Sequence, residues 1–184
     1  HFTELEEGFF RLGDVLVETQ YLNHTAPTIA YRISHGGTSV AYVTDHEPFW
    51  DSGENTFSHP GDQRHVDFLR GADLIIHDAQ YSEAEYKTKK GWGHSTIDYA
   101  TDVALAAKAK RLALFHHDPT HDDEWVERFE AHARQRARAA GSDLEVFGAA
   151  EGMKLEVSGN AKARTTLPES ALIQRKTQGG RILV

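Results

Sequence analysis

The stretch Gly71-Ala72-Asp73-Leu74-Ile75-Ile76-His77-Asp78-Ala79-Gln80-Tyr81 decides how the rest of the chain is read. Its apolar run is too short for a helix and reads as a buried strand, closed abruptly by a His-Asp pair. The same arrangement recurs on both sides. Upstream, Val15 to Tyr21 leads to His24, and Ser39 to Thr44 leads to Asp45-His46; downstream, Leu112 to Phe115 leads to His116-His117-Asp118. In layered α/β proteins the loops after strand C-termini gather at one sheet edge, where ligands bind, so these four endings are expected to converge. Taken singly, each has a structural explanation: His24 as a satisfied loop histidine, Asp45 as a turn or helix cap, His77 and His116 as strand-end residues bonding a neighbouring carbonyl. Taken together they deliver imidazoles and carboxylates from separate elements, as a dinuclear metal site requires. That donor set suits zinc, manganese or iron.

Working outward, Thr28 to Ile33 is a further strand, joined to the next by the turn His35-Gly36-Gly37-Thr38, so the N-terminal part reads as a meander. His46 to Gly61, with Pro48, Gly53, Asn55 and Pro60, reads as a long surface loop. Asp62 to Leu69 is expected to be a helix with Val66, Phe68 and Leu69 inward and Gly71 ending it. Ile97 to Ala109 places Ile97, Ala100, Val103, Ala104 and Ala107 on one helical face, with Ser95 or Thr96 as cap. Asp123 to Ala140 is a second long helix, with Trp125, Phe129 and Ala133 at four-residue spacing and Gly141 as its stop. Leu144 to Val146 and Met153 to Val157 complete the body as strands. The alternation predicts helices packed on a sheet, the α/β class. No internal repeat is present. Residues 1–157 read as one domain and 158–184 as a tail or linker, weakly basic against an acidic body.

At 184 residues and 39% hydrophobic, the chain buries one core rather than two. No stretch approaches the roughly 20 apolar residues of a membrane span and no signal peptide is evident, so no membrane partner is expected and the default location is cytoplasmic. The absence of cysteine leaves His, Asp and Glu to hold any metal. A net charge of −8 argues against bulk nucleic-acid binding, yet allows a small phosphorylated substrate at a metal. Twelve histidines are scattered rather than clustered as in a tag. A start at His1 instead of Met reads as a fragment or processed product.

Five blocks in order, Leu22 to Ile33, Tyr42-Val43-Thr44-Asp45, Gly71 to Tyr81, Gly93-His94-Ser95-Thr96 and Leu112 to Pro119, resemble the second half of metallo-β-lactamase-fold enzymes near the tRNA 3′-processing endonuclease. The resemblance implies an αββα sandwich, represented by its C-terminal half, and metal-dependent hydrolysis of a phosphodiester such as a cyclic nucleotide or RNA end. It implies two divalent ions, zinc or manganese. It maps His24 and His116 to one metal each, Asp45 to the bridge between them, and His94 to a catalytic role beside the scissile phosphate. His77 and Asp78 occupy the place of a His-Glu pair and serve either the fold or the support of the ligands. His117 orients its neighbour or faces solvent. At a helix entrance, His94 is expected to be neutral in the free protein.

The upstream His-x-His-x-Asp-His signature of that superfamily does not occur in this sequence. Its nearest imitation, His117-Asp118-Pro119-Thr120-His121-Asp122, has the wrong spacing, and Pro119 denies His117 and His121 a common helical face. Asp118 to Asp123 reads instead as a loop and N-cap, with Asp118 or His121 as further supporting candidates. Metal binding by these residues alone is therefore expected to be weak, with an N-terminal segment or another protomer completing the site. A non-catalytic sensor or scaffold retaining the fold, and a thioester or lactam hydrolase, are the alternative functions. Trp50, Trp92, Tyr81 and Tyr86 flank the blocks and either line the pocket or pack.

Overall fold

The computed structural model describes residues 4–49 and 57–158, with the backbone of 165–166 and 182–183. Strands β1 (Gly8–Leu12), β2 (Val15–Tyr21), β3 (Ile29–His35) and β4 (Thr38–Val43) form an antiparallel meander. The β3–β4 turn places Gly36 and Gly37 at φ 55° and 77°, the left-handed pair that a two-residue hairpin loop demands. Helix α1 (Pro60–Leu69) then crosses to β5 (Leu74–Asp78), which pairs with β4 in parallel. Helices α2 (Glu83–Lys89) and α3 (Ile97–Ala106) precede β6 (Arg111–Phe115), and α4 (Asp123–Ala139) precedes β7 (Glu145–Gly148). Strands β1 to β7 lie in chain order in one sheet, parallel from β4 onward.

Side-chain alternation gives this sheet two apolar faces. Val43, Ile75, Leu112, Leu114 and Val146 join the inward residues of α1, α3 and α4 in one cluster. Val40, Leu74, Ile76, Ala113 and Phe147 form the other, with Leu155 and Val157 of β8 (Lys154–Val157) packed on them. β8 pairs with the two-residue strands β9 (Thr165–Thr166) and β10 (Ile182–Leu183) in a second sheet. The layers are therefore helices, a seven-stranded sheet and a three-stranded sheet, the α/β architecture of the C-terminal half of an αββα sandwich. The remainder of the segment read as a tail, 158–184, lies largely outside the described residues.

Several local expectations change. α2 was not expected because it lacks an apolar stripe, although Ser82 and Glu85 form the reciprocal capping box that marks a helix start. β1 was also missed. α3 stops at Ala106, and Lys108 at φ 54° turns the chain toward β6. Trp125 stays 37% exposed while meeting the buried Phe129 edge-on at 5.6 Å, so the stripe that Phe129 and Ala133 bury ends on a half-exposed indole. Of Ser95 and Thr96 it is Thr96 that caps α3, and within the segment read as loop and N-cap it is Asp122 that caps α4, each accepting a backbone N–H from three residues on. No helix among the described residues is long and apolar enough to cross a membrane.

Candidate metal centre and catalytic site

Because β4, β5 and β6 are parallel and β2 is separated from β4 by one antiparallel strand, all four run the same way. Their C-terminal ends share one edge, which brings His24, Asp45, His77-Asp78 and His116 to the same end of the sheet. Asp45 and His116 both adopt left-handed backbone conformations, φ 53° and 60°, costly for residues with a Cβ and typical of functional sites.

Asp45 Oδ1 lies 3.1 Å from His116 Nε2. With His94 these residues offer donor atoms within 4.8 Å of one another, the arrangement of a cation site. The His94 ring is centred 4.8 Å from that of His116 and 5.4 Å from that of His24. His24 Nδ1 is 2.9 Å from the Gly93 carbonyl, so it is held as a donor, and Nε2 meets only the exposed Thr25 hydroxyl at 3.5 Å, a long contact that a ligand can replace. The Gln80 amide lies 3.1 Å from His116 Nδ1; in the other orientation of that amide its oxygen accepts from Nδ1–H and frees Nε2. These donors fit a divalent metal, with one nitrogen of each imidazole engaged by the protein.

Asp78 organises the edge from below. Fully buried, its carboxylate accepts backbone N–H bonds from His46, Gln80 and Ser95, and a 2.8 Å bond from His94 Nδ1. Burial disfavours the charged His94 ring, but the bond and charge of Asp78, with Asp45 and Glu47, outweigh it and raise the His94 pKa above its ordinary value. The fixed carboxylate thus favours the charged ring, opposing the helix terminus that favours the neutral one.

Other sequence candidates lie elsewhere. His77 points to the helical face, where its Nε2 is 3.0 Å from His65 Nε2 and its Nδ1 bonds the Asp78 carbonyl. His117 has neither ring nitrogen hydrogen-bonded among the described residues, and burial pushes its pKa down. Asp118 accepts from Thr120 within its turn, and His121 lies 2.7 Å from Glu85. Trp50 falls outside the described residues.

The reading of His46 to Gly61 as a surface loop fails at its start, where His46, Glu47 and Pro48 are buried. The Glu47 carboxylate accepts from Tyr86 Oη at 2.7 Å, Gly91 N at 2.6 Å and Gly93 N at 2.8 Å. Its backbone N–H donates to the Asn23 carbonyl, and Asn23 Nδ2 returns a bond to the Glu47 carbonyl. One residue thus ties together the loops that carry His24, Asp45 and His94. Beneath them His46 stacks on His65 at 4.2 Å, and burial pushes the pKa values of His46, His65 and His77 down, so this is a neutral core cluster. Asp62, His65, Val66 and Leu69 are all buried on α1, at the spacing of one helical face. That periodicity was present in the sequence, hidden by two polar members.

The fold is that of a known superfamily: the chain belongs to the β-lactamase superfamily, whose domain model matches residues 6–117. Members of this superfamily generally bind divalent metals. Among curated relatives, Ribonuclease Z of Pyrococcus furiosus is 36% identical over 83 residues, 45% of this chain and 22% of that protein. Ribonuclease Z of Lactococcus lactis is 50% identical over 46 residues, 25% of this chain and 15% of that protein. The match thus spans about a fifth of these relatives' length. Of solved structures, the metallo-β-lactamase fold protein YhfI from Bacillus subtilis superposes with a TM-score of 0.57 at 20% identity, covering 80% of this chain and 52% of that one. The short form of human tRNase Z gives 0.51 at 24% identity, covering 76% and 42%. Both show the fold.

Proposed function

We propose that these residues form one side of a dinuclear, metal-dependent phosphodiesterase site. The observation that carries this reading is the meeting of the metal-donor atoms of Asp45 and His116 at the shared strand edge, with a ring nitrogen of His94 within 4.8 Å of both. Asp45 and His116 hold metal, and His24, presented by Gly93, serves the second ion. When bound, zinc or manganese supplies a nucleophile from water at neutral pH and neutralises charge on the phosphoryl oxygen. His94, anchored through Nδ1 to Asp78, presents Nε2 to deliver a proton to the leaving oxygen. The remaining donors come from outside these residues, through an upstream segment or another protomer. The names of the curated relatives favour an RNA end among phosphodiesters. With a net charge of −8, contact is expected near the scissile group rather than over a broad basic surface.

Metal counting combined with hydrolysis of a bis-aryl phosphodiester tests this, on the chain completed by its remaining donors. Asp45→Ala and His116→Ala should lower metal content and turnover together. His94→Ala should slow turnover by about 10²–10⁴-fold with metal content retained. Metal loss on His94→Ala would make it a ligand instead. Undiminished metal binding in both Asp45→Ala and His116→Ala would remove the assigned centre.

A further inference from the structure

We propose that Trp92 and Lys89 form a nucleotide subsite beside His94, the indole stacking on a base and the ammonium meeting its phosphate. This deepens the phosphodiesterase reading and rests on it, narrowing the substrate to a phosphoester that carries an aromatic base. Trp92 is 55% exposed, although it lies one residue from the Gly93 carbonyl that holds His24 and two from His94. Its loop is not loose. Gly91 and Gly93 flank it at φ 84° and 91°, and both donate their N–H to the buried Glu47 carboxylate. The indole is therefore presented on a fixed backbone, which lowers the ordering cost of binding.

The Lys89 ammonium lies 4.0 Å from the Trp92 ring centroid and 5.7 Å from that of Tyr81. Tyr81 in turn meets His94 edge-on at 6.1 Å. Indole, ammonium, buried phenol and imidazole form a chain of contacts that links the exposed Trp92 to His94. Among the described residues Lys89 forms no ion pair within contact distance, its charge reaching Asp118 only at longer range, while Asp45, Glu47 and Asp78 crowd the same edge with negative charge. A phosphate approaching that edge needs a cation, and Lys89 stands where one is useful. Base-on-aromatic stacking tolerates any base, so the subsite selects for a nucleotide without selecting its identity.

Calorimetric titration of the manganese-loaded protein, completed by its remaining donors, with adenosine 5′-monophosphate and with ribose 5-phosphate separates the two contributions. The nucleotide should bind about 5- to 100-fold more tightly than the sugar phosphate. Trp92→Ala should abolish that preference and Trp92→Phe should keep most of it. Lys89→Ala should weaken both ligands and flatten the salt dependence. Equal wild-type affinities, or a preference that survives Trp92→Ala in a folded variant, would overturn the subsite. Hydrolysis of the bis-aryl diester despite equal affinities would leave the enzymatic reading standing, whereas a Trp92-dependent preference without hydrolysis would support the subsite and count against that reading.

Discussion

Replacing Glu47 by alanine is expected to destabilise the fold by about 3–5 kcal/mol, a large part of the 5–15 kcal/mol that holds a typical domain. The carboxylate is 8% exposed and accepts three hydrogen bonds, so its removal strands the Tyr86 hydroxyl and the N–H groups of Gly91 and Gly93. Each buried donor left unpaired costs about 1–3 kcal/mol, reduced where water enters the space. The consequence for the site follows directly: the 91–93 loop that orients His24 and delivers His94 loses its anchor. Glu47→Gln keeps the shape and one acceptor oxygen but turns an amide toward a donor, and should fall between wild type and alanine. Denaturant unfolding of the three proteins, followed by zinc titration of those that fold, measures both effects. A Glu47→Ala protein within 1 kcal/mol of wild type, a margin typical of exposed substitutions, would show that the clamp has no energetic weight.

Gly93→Ala is expected to lower metal affinity about 10–100-fold, the usual effect of disturbing the group that orients a ligand imidazole. A Cβ added at Gly93 would lie 2.0 Å from His24 Nδ1 and 2.5 Å from Cε1, so the ring must leave its place beside the Gly93 carbonyl. The backbone adds its own cost, because φ 91° is a conformation that side chains with a Cβ avoid, at about 1–3 kcal/mol. Affinity and stability should therefore fall together. The His24 ring signals in a nitrogen-detected spectrum should move with them. Gly141→Ala provides the contrast: its φ is also positive, at 66°, but no atom lies within 4 Å of the added Cβ. That variant should lose stability and retain metal affinity. Unchanged metal affinity in Gly93→Ala would remove His24 from the ligand set.

The edge of the sheet was legible because strand period and polar punctuation are local. Leu74 to Ile76 closing on His77-Asp78, and Leu112 to Phe115 closing on His116, mark buried strands whatever surrounds them, and parallel pairing then forces their ends together. The caps at Thr96 and Asp122 were equally local, since a side chain bonding an N–H three residues away needs no distant partner. His77 shows the limit of that logic. It was grouped with Asp78 as a neighbour of the ligands, yet adjacent strand residues face opposite sides, and the pleat sent one to His94 and the other to His65.

Tertiary structure alone decided the supports of the site. Glu47 in a Pro-containing polar segment reads as solvent-facing, and becomes a buried clamp only because donors 44 and 46 residues away come to meet it. His46 and His65 likewise read as surface residues until each is seen to fill the core against the other. The physical reason is common to all three. Apolar burial leaves a periodic trace along the chain, whereas a buried polar group is tolerated only when its partner is present, and that partner is supplied by the fold.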